Sequence, residues 1–254
     1  MSQTASAQIQ IPSCNGSVKL NPEIIKLFNV NPAKIDFMAK LELCFNRIKA
    51  ANYLSDYKSF NDFYNKIASI QNQDGVVTSG IHVIYGKASL KACGNSIVIA
   101  LDHANILATK HALVFGFDKS NATMFDTTEF LGFDQTIFYA YENAQIKAYD
   151  NCKGKATGFT NITAFNCSIV DAYDRAMVIC KDNAIVRAYK AVRIEAYDSS
   201  RIFMFDDVVG WIFDNAEANL CGNSMICKGE NGGQIGKQNN HRVFLLYPLN
   251  FISN

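Results

Sequence analysis

One period constrains this chain more than any other feature: the same pattern returns every eight residues. Counting in steps of eight from Gly86 to Glu230, one position always holds Asp, Asn, Glu, Lys or Gly, and no residue is inserted or lost. We number this position zero. Positions two and six after it are mostly small, and position four is mostly aliphatic. A short fixed period of this kind is typical of stacked coils and predicts a β-solenoid.

The alternation within each repeat predicts which residues face inward. Positions two, four and six share one face of a strand, because successive side chains point to opposite faces. We therefore expect this face to line the core. Positions zero and one are rich in Asp, Asn and Gly, the residues that favour turns. No proline lies between Pro32 and Pro248, as expected for strands that donate hydrogen bonds to both neighbours.

The outward positions indicate how many repeats make one coil. In steps of twenty-four, one polar row forms from Thr123, Lys147, Asp171, Glu195 and Asn219. In the same steps, position seven gives an unbroken aromatic row of Phe117, Tyr141, Phe165, Tyr189 and Phe213. In steps of sixteen, by contrast, polar and apolar residues are mixed within the same row. The sequence therefore predicts a mainly β fold: a three-sided parallel β-helix of about six coils, each of three octads and ~4.8 Å from the next. A two-sided solenoid stays open as the alternative.

A small α-helical region is predicted before the repeats. Asn31 and Pro32 pair a good N-cap with a proline at the first helical position, as do Asn21 and Pro22. Apolar residues then recur at helical spacing, at Ile35, Met38, Leu41, Phe45 and Ile48. A second helix is expected from near Ser55, with an apolar stripe of Phe60, Phe63, Tyr64, Ile67 and Ile70. Residues 8–11 suit an edge strand.

These elements predict three regions. Residues 1–76 form an N-terminal cap or docking region, residues 77–230 the octad-repeat β-helix, and residues 231–254 a C-terminal capping tail. The open ends of a solenoid are exposed strand edges and need such covers.

Charge and cysteine usage bound the functional class. The formal net charge is +1, so bulk attraction to nucleic acid or to an anionic membrane is not expected. The N-terminus lacks the basic start and apolar run of a signal peptide, so we expect synthesis in the cytoplasm. The eight cysteines follow neither C-x-x-C nor zinc spacing. Reduced thiols are expected, several of them in the core, with a disulfide framework as the alternative.

Two sets of polar residues are candidates for chemistry. Stacked carboxylates at Asp102, Asp126, Asp150, Asp174 and Asp198 suggest Ca²⁺ binding, but the octad lacks the extra glycines and oxygens of Ca²⁺-binding repeats. We expect instead that each Asp accepts backbone N–H groups in its own turn. The second set is a polar strand face of Gln145, Lys147, Asp171, Arg193, Glu195 and Glu217. Paired carboxylates there would suit acid–base catalysis, yet no inserted loop walls a substrate groove.

Histidines and common motifs add nothing catalytic. His103 and His111 occupy turn positions on different corners and cannot easily share a metal. No G-x-S-x-G or phosphate-binding G-x-x-x-x-G-K-S/T motif is present. We therefore expect no cofactor, no metal and no enzymatic activity.

Apolar outward residues are the third candidate. Exposed together, they exceed what a soluble monomer tolerates. The N-terminal helices are expected to cover one flank, which leaves the other for a protein partner. The predicted partner-binding residues are Leu107, Phe115, Leu131, Tyr139, Ile179, Phe203 and Trp211.

The clearest copies of the octad begin Ala-Tyr-Asp, at residues 148, 172 and 196. They resemble the AYD-type eight-residue repeats of poorly characterised bacterial and bacteriophage proteins, over residues 85–230. The resemblance implies a parallel β-solenoid and says almost nothing about activity. Degenerate copies such as residues 155–158 depart from it.

The sequence thus predicts a non-catalytic structural or protein-interaction β-helix, with self-association or membership of a larger assembly. The resemblance, and an Asn-, Ile-, Lys- and Phe-rich composition, favour a bacteriophage virion component or a phage-encoded binder of a host protein. The alternative is a carbohydrate-active enzyme or carbohydrate-binding module that uses the polar face and the aromatic rows.

Overall fold

A computed structural model describes residues 32–228, 233–236 and 242–245, with side chains from residue 36 to residue 236. The chain forms two compact units, Met1–Asn65 and Lys66–Asn254. The expected strand at residues 8–11 and the expected helix start at Asn21 lie outside the described residues.

The described residues of the first unit contain two helices. Helix α1 spans Pro32–Ala50, as its sequence predicted, and buries Met38, Leu41, Phe45 and Ile48. Helix α2 is much shorter than expected and spans only Phe60–Tyr64. Ser59 caps it through a reciprocal pair of hydrogen bonds with Asp62.

Phe45 links the two helices, because its ring stacks on Phe63 with centroids 4.9 Å apart. The predicted stripe continued to Ile67 and Ile70, but these two residues lie on a strand instead. Strand pairing therefore overrides the helical spacing there.

The second unit is built from short strands. In chain order they are β1 (Ile67–Gln71), β2 (Gly75–Ile84), β3 (Ser89–Ala100), β4 (Asn105–Ala108), β5 (Leu113–Gly116), β6 (Asn121–Met124), β7 (Glu129–Gly132), β8 (Ile137–Ala140), β9 (Gln145–Ala148), β10 (Lys153–Ala156), β11 (Asn161–Ala164), β12 (Ile169–Ala172), β13 (Met177–Cys180), β14 (Ile185–Ala188), β15 (Arg193–Ala196), β16 (Arg201–Met204), β17 (Val209–Ile212), β18 (Glu217–Leu220), β19 (Met225–Lys228), β20 (Gln234–Ile235) and β21 (Arg242–Leu245). The fold is mainly β, a parallel β-solenoid of about ten turns.

The strand register shows that each turn holds two octads. From β3 to β17, every strand pairs in parallel with the strand two places later, and the paired residues are sixteen apart. Ile146, for example, pairs with Ile162 and not with a residue twenty-four away. The predicted three-sided coil and the count of six coils are therefore wrong. Even-numbered strands from β4 form one stack, the even stack, and odd-numbered strands from β5 form the odd stack; β3 contributes to both.

The ends of the solenoid depart from this register. Strand β1 pairs with β2 at offsets of thirteen and fourteen residues, as Ser69 with His82 and Ile67 with Ile81. At the other end, Glu217 pairs with Gln234 and Met225 with Arg242, seventeen residues away. Strands thus begin at Ile67, before the predicted boundary at residue 77, and β21 extends the stack within the predicted C-terminal tail.

Stacked aromatic rings follow the sixteen-residue register. Phe117, Phe133, Tyr149 and Phe165 form one row with successive centroids 4.7 to 5.0 Å apart. Tyr173, Tyr189 and Phe205 form another, at 4.7 Å. Each stacked pair contributes about 0.5–1.5 kcal/mol beyond area burial. The predicted row of Phe117, Tyr141, Phe165, Tyr189 and Phe213 does not exist, because Phe117 stacks on Phe133 and Phe165 stacks on Tyr149.

The predicted inner face is confirmed. In the described repeats, positions two, four and six are buried, except Gly154 and Lys228, which are partly exposed. Two strands back to back leave a narrow interior, so large residues need small neighbours. A Cβ atom on Gly154 would lie only 2.2 Å from the ring of Phe138 in the preceding turn. Glycine at residue 154 therefore makes room for that ring.

The corners of each turn depend on position zero. From Gly86 to Gly222, this residue always has a positive φ, between 51° and 64° where it is not glycine. Asp and Asn tolerate this left-handed conformation better than most residues. We call the corner at Gly86, Asp102 and every sixteenth residue after it corner A, and the corner at Gly94, Lys110 and every sixteenth residue after it corner B.

Corner A carries an unbroken ladder of side-chain hydrogen bonds. The backbone N–H of each position-zero residue donates to the side-chain oxygen of position zero in the next turn, from Gly86 to Asp214, at 2.8 to 3.2 Å. The expected acceptor role of these Asp residues is confirmed, but the donor lies one turn earlier and not in the same turn. Each bond ties two turns together.

The packing of Gly154 gives a first prediction. Gly154→Ala should destabilise the solenoid by about 1–3 kcal/mol, because the new methyl group overlaps the Phe138 ring. Adding Phe138→Leu should recover part of that loss. Unfolding monitored by circular dichroism measures both effects. Lys153→Ala, on the same strand but exposed, is the control and should change stability by less than about 0.5 kcal/mol. A Gly154→Ala protein as stable as the wild type would contradict this packing.

The corner ladder gives a second prediction, tested at Asp198. This carboxylate accepts the N–H of Asp182. Asp198→Asn should change little, since Asn166 already accepts such a bond. Asp198→Gly keeps the backbone conformation but loses the bond, at a cost of about 1.5–3 kcal/mol. Asp198→Ala should cost more, because it adds left-handed strain of about 1–2 kcal/mol. Hydrogen exchange at the Asp182 amide is the local measurement. Equal exchange rates in all three variants would contradict the ladder.

Candidate functional site

The structure separates the residues predicted to bind a partner. Leu107, Tyr139 and Phe203 lie on the even stack, whereas the other predicted residues lie on the odd stack: Phe115, Leu131, Ile179 and Trp211. The sixteen-residue register also breaks up the predicted polar row and places its members between apolar residues. Thr123 pairs with Leu107 on one side and Tyr139 on the other, and Glu195 pairs with both Ile179 and Trp211.

Burial divides these residues further. Phe115 and Leu131 are neighbours in the register, but both are fully buried, as is Ile99 beside Phe115. They offer no open surface in this structure. Leu107, Tyr139 and Ile179 are between 36% and 44% exposed, and Trp211 and Phe203 are partly exposed. The accessible predicted residues are therefore divided between two opposite stacks.

The predicted polar face is divided in the same way. Asp171 and Glu217 lie on the even stack, whereas Gln145, Lys147, Arg193 and Glu195 lie on the odd stack. Asp171 accepts two hydrogen bonds from Arg187, its register partner, at 2.5 and 2.8 Å. This hydrogen bonding raises the pKa of Arg187. Asp171 is thus held in an ion pair and does not face Glu195.

A groove of about 540 Å³ runs along the outer face of the odd stack. It crosses six strands, from β7 to β17, and is therefore about 24 Å long at ~4.8 Å per turn. Its lining combines apolar, amide and charged side chains: Gln145, Lys147, Asn161, Thr163, Met177, Ile179, Arg193, Glu195 and Trp211. We call this feature the odd-face groove.

One acidic residue of the groove is fixed in place. The hydroxyl of Tyr197 donates to a carboxylate oxygen of Glu195 at 2.8 Å. Burial, and secondarily this carboxylate, raise the pKa of Tyr197. Glu195 therefore presents one oxygen to the tyrosine and turns its remaining acceptor capacity toward the groove. Such an arrangement suits the recognition of donors.

Metal binding finds no support among the described residues. They contain no group of three or more His, Cys, Asp and Glu side chains that would hold a metal ion. The Asp residues proposed as a Ca²⁺ row alternate between corner A and corner B, and most of those carboxylates accept backbone N–H groups. His103 and His111 lie in turns at opposite corners, as the sequence predicted.

Comparison with known proteins adds no assignment. Scans of family models, curated proteins and solved structures find no match to this chain. Among the described residues, no helix is long and apolar enough to cross a membrane.

Sequence reasoning missed the odd-face groove because it used the wrong coil length. In steps of sixteen, Gln145, Asn161, Met177 and Arg193 fall in one column at position three. The column beside it, at position five, holds Lys147, Thr163, Ile179, Glu195 and Trp211. The short Asn161 and Thr163 side chains lie between longer ones, which is the signal that the correct register would have shown.

The thiols give a third prediction. Burial raises the pKa of both Cys152 and Cys180 to about 12, whereas Cys167 and Cys221 are exposed. Only the thiolate reacts with iodoacetamide. At pH about 8, native protein should therefore be alkylated at Cys167 and Cys221 and protected at Cys152 and Cys180, as read by peptide mass spectrometry. Denatured protein, in which all four react, is the control. Native labelling of Cys152 as fast as that of Cys167 would contradict the structure.

Proposed function

We propose that this protein is a non-catalytic β-solenoid that binds another protein through the odd-face groove. The observation that carries the proposal is the lining of the groove, in which Met177, Ile179 and Trp211 lie beside Arg193 and Glu195. Trp, Met and Arg are enriched at protein interfaces, and Trp and Arg supply most binding hot spots. Apolar and charged side chains placed next to each other can bind an apolar side chain of a partner protein together with its polar neighbours.

The dimensions of the groove suit a segment of protein chain. A length of about 24 Å accepts roughly seven residues of extended polypeptide at ~3.4 Å each. Met177 is 54% exposed and Ile179 36%, so both have apolar area left to bury. Met is flexible and adapts to irregular partner surfaces. Arg193 in the position-three column, and Lys147 and Glu195 in the position-five column, provide partners for either sign of charge.

A scaffold role also accounts for the rest of the solenoid. Its turns are short and regular from β3 to β19, without the inserted loops on which catalytic sites usually lie. The two stacks hold their outward side chains at fixed spacing, so a surface is organised before a partner arrives. Such preorganisation lowers the entropy cost of binding.

The biological setting we propose rests on the repeat resemblance. AYD-type octads recur in bacterial and bacteriophage proteins, which supports a virion component, or a phage-encoded binder of a host protein, acting as an oligomer or within a larger assembly. The groove is compatible with either setting, because both require only that a rigid surface be presented to another protein.

The proposal is tested with matched variants. Met177→Asp with Ile179→Asp places two charges at positions three and five of β13, in the groove. Ile137→Asp with Tyr139→Asp makes the same change at the same positions of β8, on the even stack, at side chains that are 39% and 44% exposed. Proteins captured from host lysate and from virions by the wild type are identified and titrated with each variant. The groove variant should weaken binding at least tenfold, about 1.4 kcal/mol, whereas the even-stack variant should bind normally.

The single tryptophan of the chain provides a second readout. Because Trp211 lines the groove, its fluorescence should shift when a purified partner binds. A partner lost only in the even-stack variant would contradict the groove. Hydrolysis or cleavage of a polysaccharide by the wild type that disappears in Glu195→Gln would replace the scaffold function with an enzymatic one.

A further inference from the structure

The octad pattern departs from itself in three consecutive residues at corner B. Position seven, aromatic in the neighbouring turns of this corner at Tyr141 and Tyr173, is Thr157. Position zero is Gly158, which, like Gly94 and Gly222 of the same corner, has no side-chain oxygen. Position one is Phe159, which is 57% exposed. In all the other repeats, this position holds a polar or small residue. These three changes fall together, and each alters the same corner.

The first change opens a gap in a stack of rings. Phe125 stacks on Tyr141 at 4.9 Å, and Tyr173 stacks on Tyr189 at 4.7 Å. Thr157 lies between the two stacks, so the rings of Tyr141 and Tyr173 are separated by two turns, or about 9.6 Å. The ammonium nitrogen of Lys155 lies 4.6 Å from the centroid of Tyr173 and takes up that ring face. The face of Tyr141 toward Thr157 is left for another ring.

The second change brings the backbone close at this corner. Gly158 has φ of +91°, and a Cβ atom there would lie 3.0 Å from the backbone nitrogen of Glu142. The N–H of Phe159 donates to the carbonyl oxygen of Glu142 at 2.7 Å. The regular inter-turn bonding therefore continues through the irregular octad. Phe159 is thus an exposed ring on a fixed backbone.

A shallow cavity of about 480 Å³, wide open to solvent, results, and Tyr141, Thr157 and Phe159 are among its lining residues. Its polar lining includes Glu142, Asn143 and Asp174. The guanidinium of Arg175 lies 5.6 Å from the centroid of Phe159 and adds donors at the same rim. Ring faces and hydrogen-bonding groups therefore meet in one cavity.

We propose that this cavity, the corner-B cavity, binds one pyranose ring of a glycan. A sugar ring has an apolar C–H face that packs on aromatic rings and hydroxyl groups at its edge that both donate and accept. Tyr141 and Phe159 match the face, while the carboxylates and Asn143 match the edge. A flat aromatic ligand would contact the rings but would make no hydrogen bonds to the polar groups at the edge of the cavity.

The charges of the corner favour a neutral ligand over a cation. Asp174 forms an ion pair with Lys190 at 2.5 Å, and a Glu142 oxygen accepts the N–H of Asp126 at 2.9 Å. Lys155 and Arg175 already lie over the rings of Tyr173 and Phe159. The negative charge is therefore largely paired, and the ring faces that attract cations are partly taken.

This site goes beyond the proposed protein-binding function and lies elsewhere on the solenoid, at a corner and not in the odd-face groove. It is tested by saturation-transfer NMR with methyl glycosides of glucose, galactose, mannose and N-acetylglucosamine on the full-length protein. At least one glycoside should bind. Phe159→Asn, which restores the residue type usual at position one, should weaken binding at least tenfold without changing the melting temperature.

A second variant fills the cavity. Thr157→Tyr should restore the ring stack, raise the melting temperature and abolish glycoside binding. Thr109→Tyr is the matched control, because Thr109 occupies the same position of the same corner beside Phe125 and lacks an aromatic residue two places later. It should raise the melting temperature in the same way and leave glycoside binding unchanged.

Three results would overturn the inference. One is that no glycoside binds the wild type at concentrations up to about 50 mM, well above the mM range that weak ligands reach. Another is that only tetramethylammonium or indole, run as cationic and aromatic probes, occupies the cavity. The last is that glycosides bind equally to Phe159→Asn, or lose affinity only in the Met177→Asp, Ile179→Asp protein. Protein capture should be normal in Thr157→Tyr, so either proposal can fail without the other.

Discussion

The corner at every eighth residue is the constraint on which this fold depends. Each corner needs a residue in the left-handed region, where most L-residues are strained by about 1–2 kcal/mol. Asp and Asn reduce that strain, and at corner A their side-chain oxygens also receive the backbone N–H of the preceding turn. One residue type therefore makes the turn and joins it to its neighbour. This double role is sufficient to explain why a carboxylate is repeated so often.

The narrow interior follows from having two octads per turn. Opposed strands are joined by two-residue turns, so inner side chains must stay small or alternate with glycine, as Phe138 does with Gly154. Each turn therefore buries little apolar area. Because burial stabilises by roughly 25 cal/mol per Å², the hydrophobic contribution of one turn to the free energy of folding is modest. Parallel strand pairing, ring stacks and the corner ladder share the stabilisation. The outward side chains carry little of it, which leaves them to vary with function.

The sequence was sufficient for everything that depends on the period alone. The eight-residue spacing predicted that position zero lies in the turn and that positions two, four and six are buried. Helical spacing predicted the apolar stripe of α1. The coil length did not, because most position-seven residues are aromatic and rows look continuous at several step lengths. Thr109, Thr157 and Lys181 happen to lie at multiples of twenty-four from one another, so that step collects these three breaks in one row and leaves the other two rows aromatic from Phe117 to Phe213. In the structure, Lys181 instead lies 5.6 Å over the ring of Tyr197 within a sixteen-residue row.

Pairs of complementary residues carry the better signal for coil length. Two such pairs have partners sixteen residues apart: Phe138 with Gly154, and Asp171 with Arg187. Each pair is explained only if consecutive turns stack directly on each other. The fit between two particular side chains therefore identifies the strand register more reliably than the residue type shared along a whole row. The odd-face groove and the corner-B cavity both depend on that register, so neither was visible before it was known.

Departures from the repeat have a different meaning once the register is fixed. Thr157 forfeits ring contacts worth about 0.5–1.5 kcal/mol per pair, and Gly158 supplies no side-chain oxygen to corner B. Lys181 also replaces a ring, but its ammonium group lies over the ring of Tyr197 in the next turn. At Thr157 the lost contacts are not replaced on the Tyr141 side, and an exposed phenylalanine stands beside the opening. No other described octad combines a non-aromatic residue at position seven with an exposed phenylalanine two residues later, which is why we assign this combination to a ligand.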